Sequence, residues 1–300
     1  MSAGEEQRIR TADGVDIALY RVAAGDGTPL LLVPGTFSTR LFWIGSRGQG
    51  FAPVLAEAGF DPWVVELRGH GGSDRPHSWT MDDWVRFDAP AAVEAVAAAH
   101  GGRSVVWIGH SAGGVVGAAF AGSGHPASGR LGGLVLLGSP GPRLHGFRRI
   151  GAWLTYLAAA ALPRLPWHGR WLGLGPEPEP GRLIAQWMWW NVSGRWRGEE
   201  GRDYLEGLAN VRVPVLAVAG AGDRILAPPD TVHDLLDRFG SPDRVLIVAG
   251  REQGYTTDYD HPDLVVSRAA REEIWPRVIE WLRQREASAA KGDPALPVEL

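Results

Sequence analysis

Short apolar runs, spaced by glycine, proline and charge, recur along most of this chain. Residues 7–10 and 15–22 flank Asp13-Gly14, which predicts a hairpin. Leu30-Leu31-Leu32-Val33 reads as a buried strand that stops at Pro34-Gly35. Residues 51–59 predict a short helix closed by glycine, and 62–67 the next strand. Residues 82–100 read as a helix ended by Gly101-Gly102, and 104–108 as a strand. Residues 134–137 are another buried strand, and 214–219 and 244–248 continue the series before a last helix over 271–285. Alternating segments of this kind predict an α/β fold, a mostly parallel central sheet with helices on both faces.

The rhythm breaks once. Residues 141–209 hold 7 of the 14 tryptophans and are rich in proline and arginine. That predicts an insertion between two sheet strands. The expected organisation is a first core part over 1–140, a helical cap over 141–210, a second core part over 211–286 and a disordered tail over 287–300. Within the insertion, Pro176-Glu177-Pro178-Glu179-Pro180 reads as an extended connector.

Composition narrows the function classes. Net charge is −4, and the basic residues are scattered and almost all arginine, so no basic stripe points to nucleic acid. The absence of cysteine removes disulfides, thiolate metal sites and a cysteine nucleophile. No pattern calls for a metal or a cofactor. Residues 1–10 are polar, without the apolar segment of a signal peptide. The longest apolar stretch, 153–162, is too short to span a bilayer. A cytoplasmic location is the default expectation.

The chemistry centres on Gly109-His110-Ser111-Ala112-Gly113, between an apolar strand and a small-residue helix. In a chain with 41 glycines the pentapeptide alone is weak, and its strand-turn-helix context is what carries weight. A serine on such a turn is strained and exposed above the sheet, the setting of a nucleophile. Its hydroxyl needs a general base, and the base needs an acid to hold its tautomer. Asp223, directly after the 214–219 strand, is the acid candidate. A purely local role capping the next turn is equally open there. Nine histidines compete as base. His70 reads as structural, and the turn directs His110 away from the serine. His100, His125 and His233 read as surface or helix-end residues, and His145 and His168 fall in the insertion. His261 follows the last strand, which gives the order Ser, Asp, His.

Four blocks in order resemble the α/β-hydrolase superfamily: Val33-Pro34-Gly35-Thr36, the loop from Glu66 to Asp74, the elbow at Ser111, and the late Asp223 and His261. The segment 259–275 is similar to the C-terminal histidine segment of lipase-like hydrolases. The resemblance implies an α/β-hydrolase fold and a Ser111-His261-Asp223 triad. It also implies an oxyanion hole from the N–H groups of Thr36 and Ala112, with Phe37 as alternative donor or pocket wall. Two departures are Pro34, where a histidine is common, and Glu66, where aspartate is frequent. Relatives that open epoxides or remove halide use aspartate at the elbow, and dienelactone-type relatives use cysteine. Serine leaves acyl transfer.

The insertion bears on substrate. Most of its aromatic rings are expected to form its own small core. The candidate pocket walls are Trp187 and Trp190, with Phe37 and His110 from the core. An apolar pocket predicts a hydrophobic acyl or aromatic ester as substrate. Peripheral contact with lipid is a further reading of the same segment. Acyltransferase, thioesterase or lactonase activity, or a non-hydrolytic or binding role, would use the same scaffold.

Overall fold

The computed structural model describes residues 5–142 and 146–291. His145 and the last nine residues of the expected tail, 292–300, lie outside them. In chain order the strands are β1 (Glu5–Arg10), β2 (Asp16–Arg21), β3 (Pro29–Val33), β4 (Asp61–Glu66), β5 (Val105–His110) and β6 (Leu131–Leu137). Then come β7 (Pro166–His168), β8 (Pro178–Pro180), β9 (Val215–Gly220) and β10 (Arg244–Ala249). β7 and β8 form a separate antiparallel pair. The others form one eight-stranded sheet in the order β1-β2-β4-β3-β5-β6-β9-β10. β2 pairs antiparallel with β1 and β4, and every other pairing in that sheet is parallel.

Side chains alternate across each strand, so one sheet feeds two apolar layers. Leu31 and Val33 of β3 join Trp107, Leu134 and Leu136 in the first layer. Leu30 and Leu32 join Ile108, Val135 and Leu137 in the second. The helices Ala89–Ala99 and Ala112–Gly122 cover the first layer with Val93, Val96, Val115 and Phe120. Phe51–Glu57 and Arg268–Lys291 cover the second with Phe51, Leu55, Trp275 and Trp281. This is the α/β architecture expected from the alternation.

Two elements differ from the sequence expectation. Residues 82–100 do not form one regular helix. The chain enters helix at Met81, where Thr80 and Asp83 cap each other, and passes through a π turn, Trp84–Asp88, before Ala89–Ala99. Pro90 lacks an N–H and crowds the carbonyl four residues earlier, and the wider turn relieves both. The last helix is also longer than expected. It runs to Lys291, so residues 287–291 of the expected tail are helical. Among the described residues no helix is long and apolar enough to cross a membrane.

Between β6 and β9 the chain forms the helices Gly146–Ala161 and Gly181–Ser193, which pack on each other, and the short helix Tyr204–Gly207. The buried face of Gly181–Ser193 carries Leu183, Ile184, Trp190 and Asn191, with Trp187 half-buried beside them. Trp190 is fully buried and stacks on Trp196 with centroids 5.8 Å apart. Its indole N–H donates to the Arg197 carbonyl at 3.0 Å. Trp190→Ala is expected to cost about 3–5 kcal/mol, as for other large aromatic truncations. A urea denaturation midpoint equal to the parent's would show that the stack contributes no stability.

Candidate active site

The chain passes from β5 into the helix Ala112–Gly122 through Ser111 alone, which has φ 53° and ψ −125°. An L-residue there is strained by about 1–3 kcal/mol. The turn closes because two neighbours lack side chains. A Cβ on Gly109 would overlap the backbone of Gly113 and Gly114, and one on Gly113 would overlap that of Val33 and Pro34. Ser111 N–H donates to the Leu137 carbonyl at 2.9 Å, and the residue stays half-exposed at the carboxyl edge of the strands.

Phe37, in the turn after β3, has φ 64°. Among the described residues, Phe37 and Ser111 are the only non-glycine residues with positive φ. Their turns touch. A Cβ on Gly35 would lie 3.0 Å from Ser111 Cβ and 3.5 Å from its Oγ.

Asp223 stands in the turn after β9. Its carboxylate accepts from the N–H groups of Leu226 and Ala227, both at 2.9 Å, and from His261 Nδ1 at 2.6 Å. Burial opposes the charge. The hydrogen bond and charge of His261, with the two backbone donors, outweigh it and hold the carboxyl below the usual aspartate range. The local capping role and the link to His261 are therefore both present in one side chain.

His261 is buried and held from below. His110 Nε2–H donates to the His261 carbonyl at 3.0 Å, with the two rings 4.7 Å apart. Gly138, just past β6, leaves room for the ring: a Cβ there would lie 3.4 Å from His261 Nδ1. Burial, and then the neighbouring charge of His261, push the His110 pKa down to about 3. His110 is thus neutral near pH 7.

The pocket residues expected from sequence sort differently in space. His110 is buried beneath His261, its ring centroid 4.5 Å from that of Phe42. Trp190 is interior to the insertion. Its face of the helix is set by the 3.6-residue period that also buries Leu183 and Ile184. Trp189, one position away, lines an open surface pocket of about 370 Å³ with Thr80, Tyr156, Arg182 and Gln186. Phe37 N–H donates to Glu179 Oε1 at 3.1 Å, which leaves Thr36 and Ala112 as the candidate donor pair.

The sequence reading missed Glu179. The Pro-Glu-Pro-Glu-Pro stretch is extended over β8, as a connector would be, and it also carries buried contacts. Glu179 is fully buried and accepts from His70 Nε2 at 2.9 Å and Trp79 Nε1 at 3.1 Å, besides Phe37. Burial disfavours a charge on His70, but the Glu179 carboxylate outweighs this and raises its pKa. Glu177 accepts from Gly71 N–H at 3.2 Å and pairs with Arg75. Residues two apart in an extended chain share a face. Two glutamates at that spacing, with His70 and Arg75 elsewhere in the chain, were the available signal.

Glu66 and Asp88 fix the loop between β4 and the capped helix. Glu66 accepts from Gly72 N–H at 2.8 Å and Arg40 N–H at 2.9 Å. Asp88 accepts from the Arg68 N–H and Nε, both at 2.8 Å. Burial pushes the Asp88 pKa up to about 6 against the pull of Arg68.

The family pattern of the alpha/beta hydrolase fold matches residues 28–159. Lipase member K of Homo sapiens is 27% identical over 128 residues, covering 36% of this chain and 32% of that protein. The chain thus aligns with about a third of the length of the curated relatives it matches. A thermophilic esterase from Thermogutta terrifontis, solved with malate bound, superposes with a TM-score of 0.62 at 21% identity, over 94% of this chain and 99% of that one. An esterase from Exiguobacterium antarcticum gives 0.65 at 16% identity, over 93% of this chain and 100% of that one. At these identities the structural likeness shows the fold.

Proposed function

We propose that this chain, whose residues 28–159 match the alpha/beta hydrolase fold, hydrolyses carboxylic esters of hydrophobic acyl or aromatic substrates through a seryl acyl-enzyme. The observation that carries this reading is the buried Asp223–His261 pair, 2.6 Å apart, at the sheet edge that also presents the strained Ser111. With Nδ1–H committed to Asp223, Nε2 of His261 is the basic atom.

The steps follow from those roles. Ser111 Oγ attacks the ester carbonyl while its proton passes to His261 Nε2. The oxygen becomes an oxyanion beside the N–H groups of Thr36 and Ala112. Each such donor contributes on the order of 10²–10³ in rate. The C–O bond then breaks, and the alcohol leaves with the proton from His261. Water, deprotonated by His261, attacks the acyl-enzyme, and Ser111 departs with that proton.

The substrate class is supported by the insertion. Phe147, Ile150, Leu154 and Leu157 form an exposed apolar stripe along the helix Gly146–Ala161. Spacings of three and four residues put them on one side. The stripe favours apolar esters, and it also supports a second reading, peripheral contact of the insertion with lipid. A series of p-nitrophenyl esters of increasing acyl length tests the first reading, together with a serine-directed phosphonate. Turnover that rises with chain length and covalent labelling of Ser111 are expected. No turnover of any ester and no labelling would end the proposal.

A further inference from the structure

The insertion grips Phe37 from several sides. Glu179 accepts its N–H at 3.1 Å, and its carbonyl accepts Glu177 N–H at 2.9 Å. Gly175 lies bare against that carbonyl, and Gly169 lies bare against the Phe37 ring. Ser38 Oγ, the next residue along, donates to the Leu174 carbonyl at 3.4 Å. All these partners lie between residues 169 and 179. They converge on one of the two non-glycine residues with positive φ among the described residues, in the turn that touches Ser111 through Gly35.

A buried carboxylate costs several kcal/mol unless its oxygens are fully hydrogen-bonded. Glu179 meets that condition with donors from three segments: Phe37 in the turn after β3, His70 in the loop after β4, and Trp79 before the capped helix. Phe37 is thereby tied to the core and the insertion at one point.

We infer that Glu179 is a positioning residue, whose carboxylate holds Phe37 in its strained conformation and so fixes the Thr36 N–H relative to Ser111. The inference rests on the proposed hydrolysis, in which that N–H faces the oxyanion. Glu179 touches no substrate. Its effect passes through the turn, and it makes the insertion part of the catalytic geometry. A donor moved by about 1 Å loses most of its transition-state contact, which can cost up to about 100-fold in rate.

The test compares the full-length parent with Glu179→Ala and Glu179→Gln on p-nitrophenyl butyrate. The active serine is titrated by phosphonate so that kcat is counted per competent site. Glu179→Ala is expected to lower kcat by roughly 10–100-fold with KM nearly unchanged. Glu179→Gln keeps one acceptor oxygen and is expected to lose about 3–10-fold, on the scale of a partly satisfied site. A merely structural role would lower the melting temperature and leave kcat per titrated site at the parent value, and that result overturns the inference. If Glu179→Ala does not fold, Glu179→Gln is read by the same criterion.

Amide hydrogen exchange over residues 34–39 gives a readout independent of turnover. Faster exchange there in either variant is expected. If the parent neither titrates nor hydrolyses any ester, the proposed function fails, and exchange alone then judges the hold on the turn. Parent-like exchange in both variants would overturn it.

Discussion

Ser111→Ala is expected to lower kcat for ester hydrolysis by about 10⁵–10⁶, the scale seen when the nucleophile of a serine triad is removed. It should also abolish phosphonate labelling. The fold should tolerate the change well. Alanine at φ 53° carries much the same backbone strain as serine, and the Ser111 contacts that close the turn are backbone ones. The melting temperature is therefore expected to move little while activity disappears. Residual turnover near the parent rate, in protein free of contaminating esterase, would show that Ser111 is not the nucleophile. Hydrolysis would then have to be explained by other groups at the same edge.

Asp223→Asn is expected to lower kcat by about 10⁴ with small structural change, as when a triad aspartate becomes an amide. The hydrogen bonds give the reason. Asp223 Oδ1 accepts Leu226 N–H, while Oδ2 accepts both Ala227 N–H and His261 Nδ1. An amide with its oxygen on Leu226 aims its NH₂ at two donors. His261 can answer that NH₂ only by surrendering its Nδ1 proton, which moves to Nε2, the atom that must accept the serine proton. The wrong tautomer then dominates. Single-turnover acylation with a p-nitrophenyl ester checks this, and a loss below tenfold would remove Asp223 from the assignment.

The same pair affects stability. Because the folded-state pKa of Asp223 is depressed, the pair's contribution is present above the unfolded value, about 3.9. It is lost as pH falls through the lower folded value. Asp223→Asn should flatten that acid limb in urea titrations.

Much of the frame was legible because buried parallel strands leave a local signature. Leu30 to Val33 and Leu134 to Leu137 are continuous apolar runs because both sheet faces are covered. Ser111 was legible for a related reason. The tight turn needs bare neighbours on both sides, and Gly109 and Gly113 record that need in the sequence. The π turn at Trp84–Asp88 was harder, since propensity does not distinguish it from ordinary helix, although Pro90 marks the place.

Which tryptophans of the insertion are buried was not legible. Trp187, Trp189 and Trp190 are nearly alike by composition, yet helical phase buries Trp190 and turns Trp189 outward. Phase depends on what the helix packs against, and that lies elsewhere in the chain. His110 similarly was a neighbour of the serine in sequence and is a support of His261 in space.

By itself the sequence determined the α/β alternation and the serine turn. Each is written in short-range order: apolar runs and glycine spacing. Only the tertiary structure decided that Asp223 reaches His261 across 38 residues, and that Glu179 lies against Phe37 across 142. Hydrogen bonds of that kind depend on where two distant backbones end up, and no local pattern encodes the distance. The Pro-Glu-Pro-Glu-Pro stretch reads locally as an extended connector, and only the tertiary fold brings His70, Trp79 and Phe37 to its buried carboxylate.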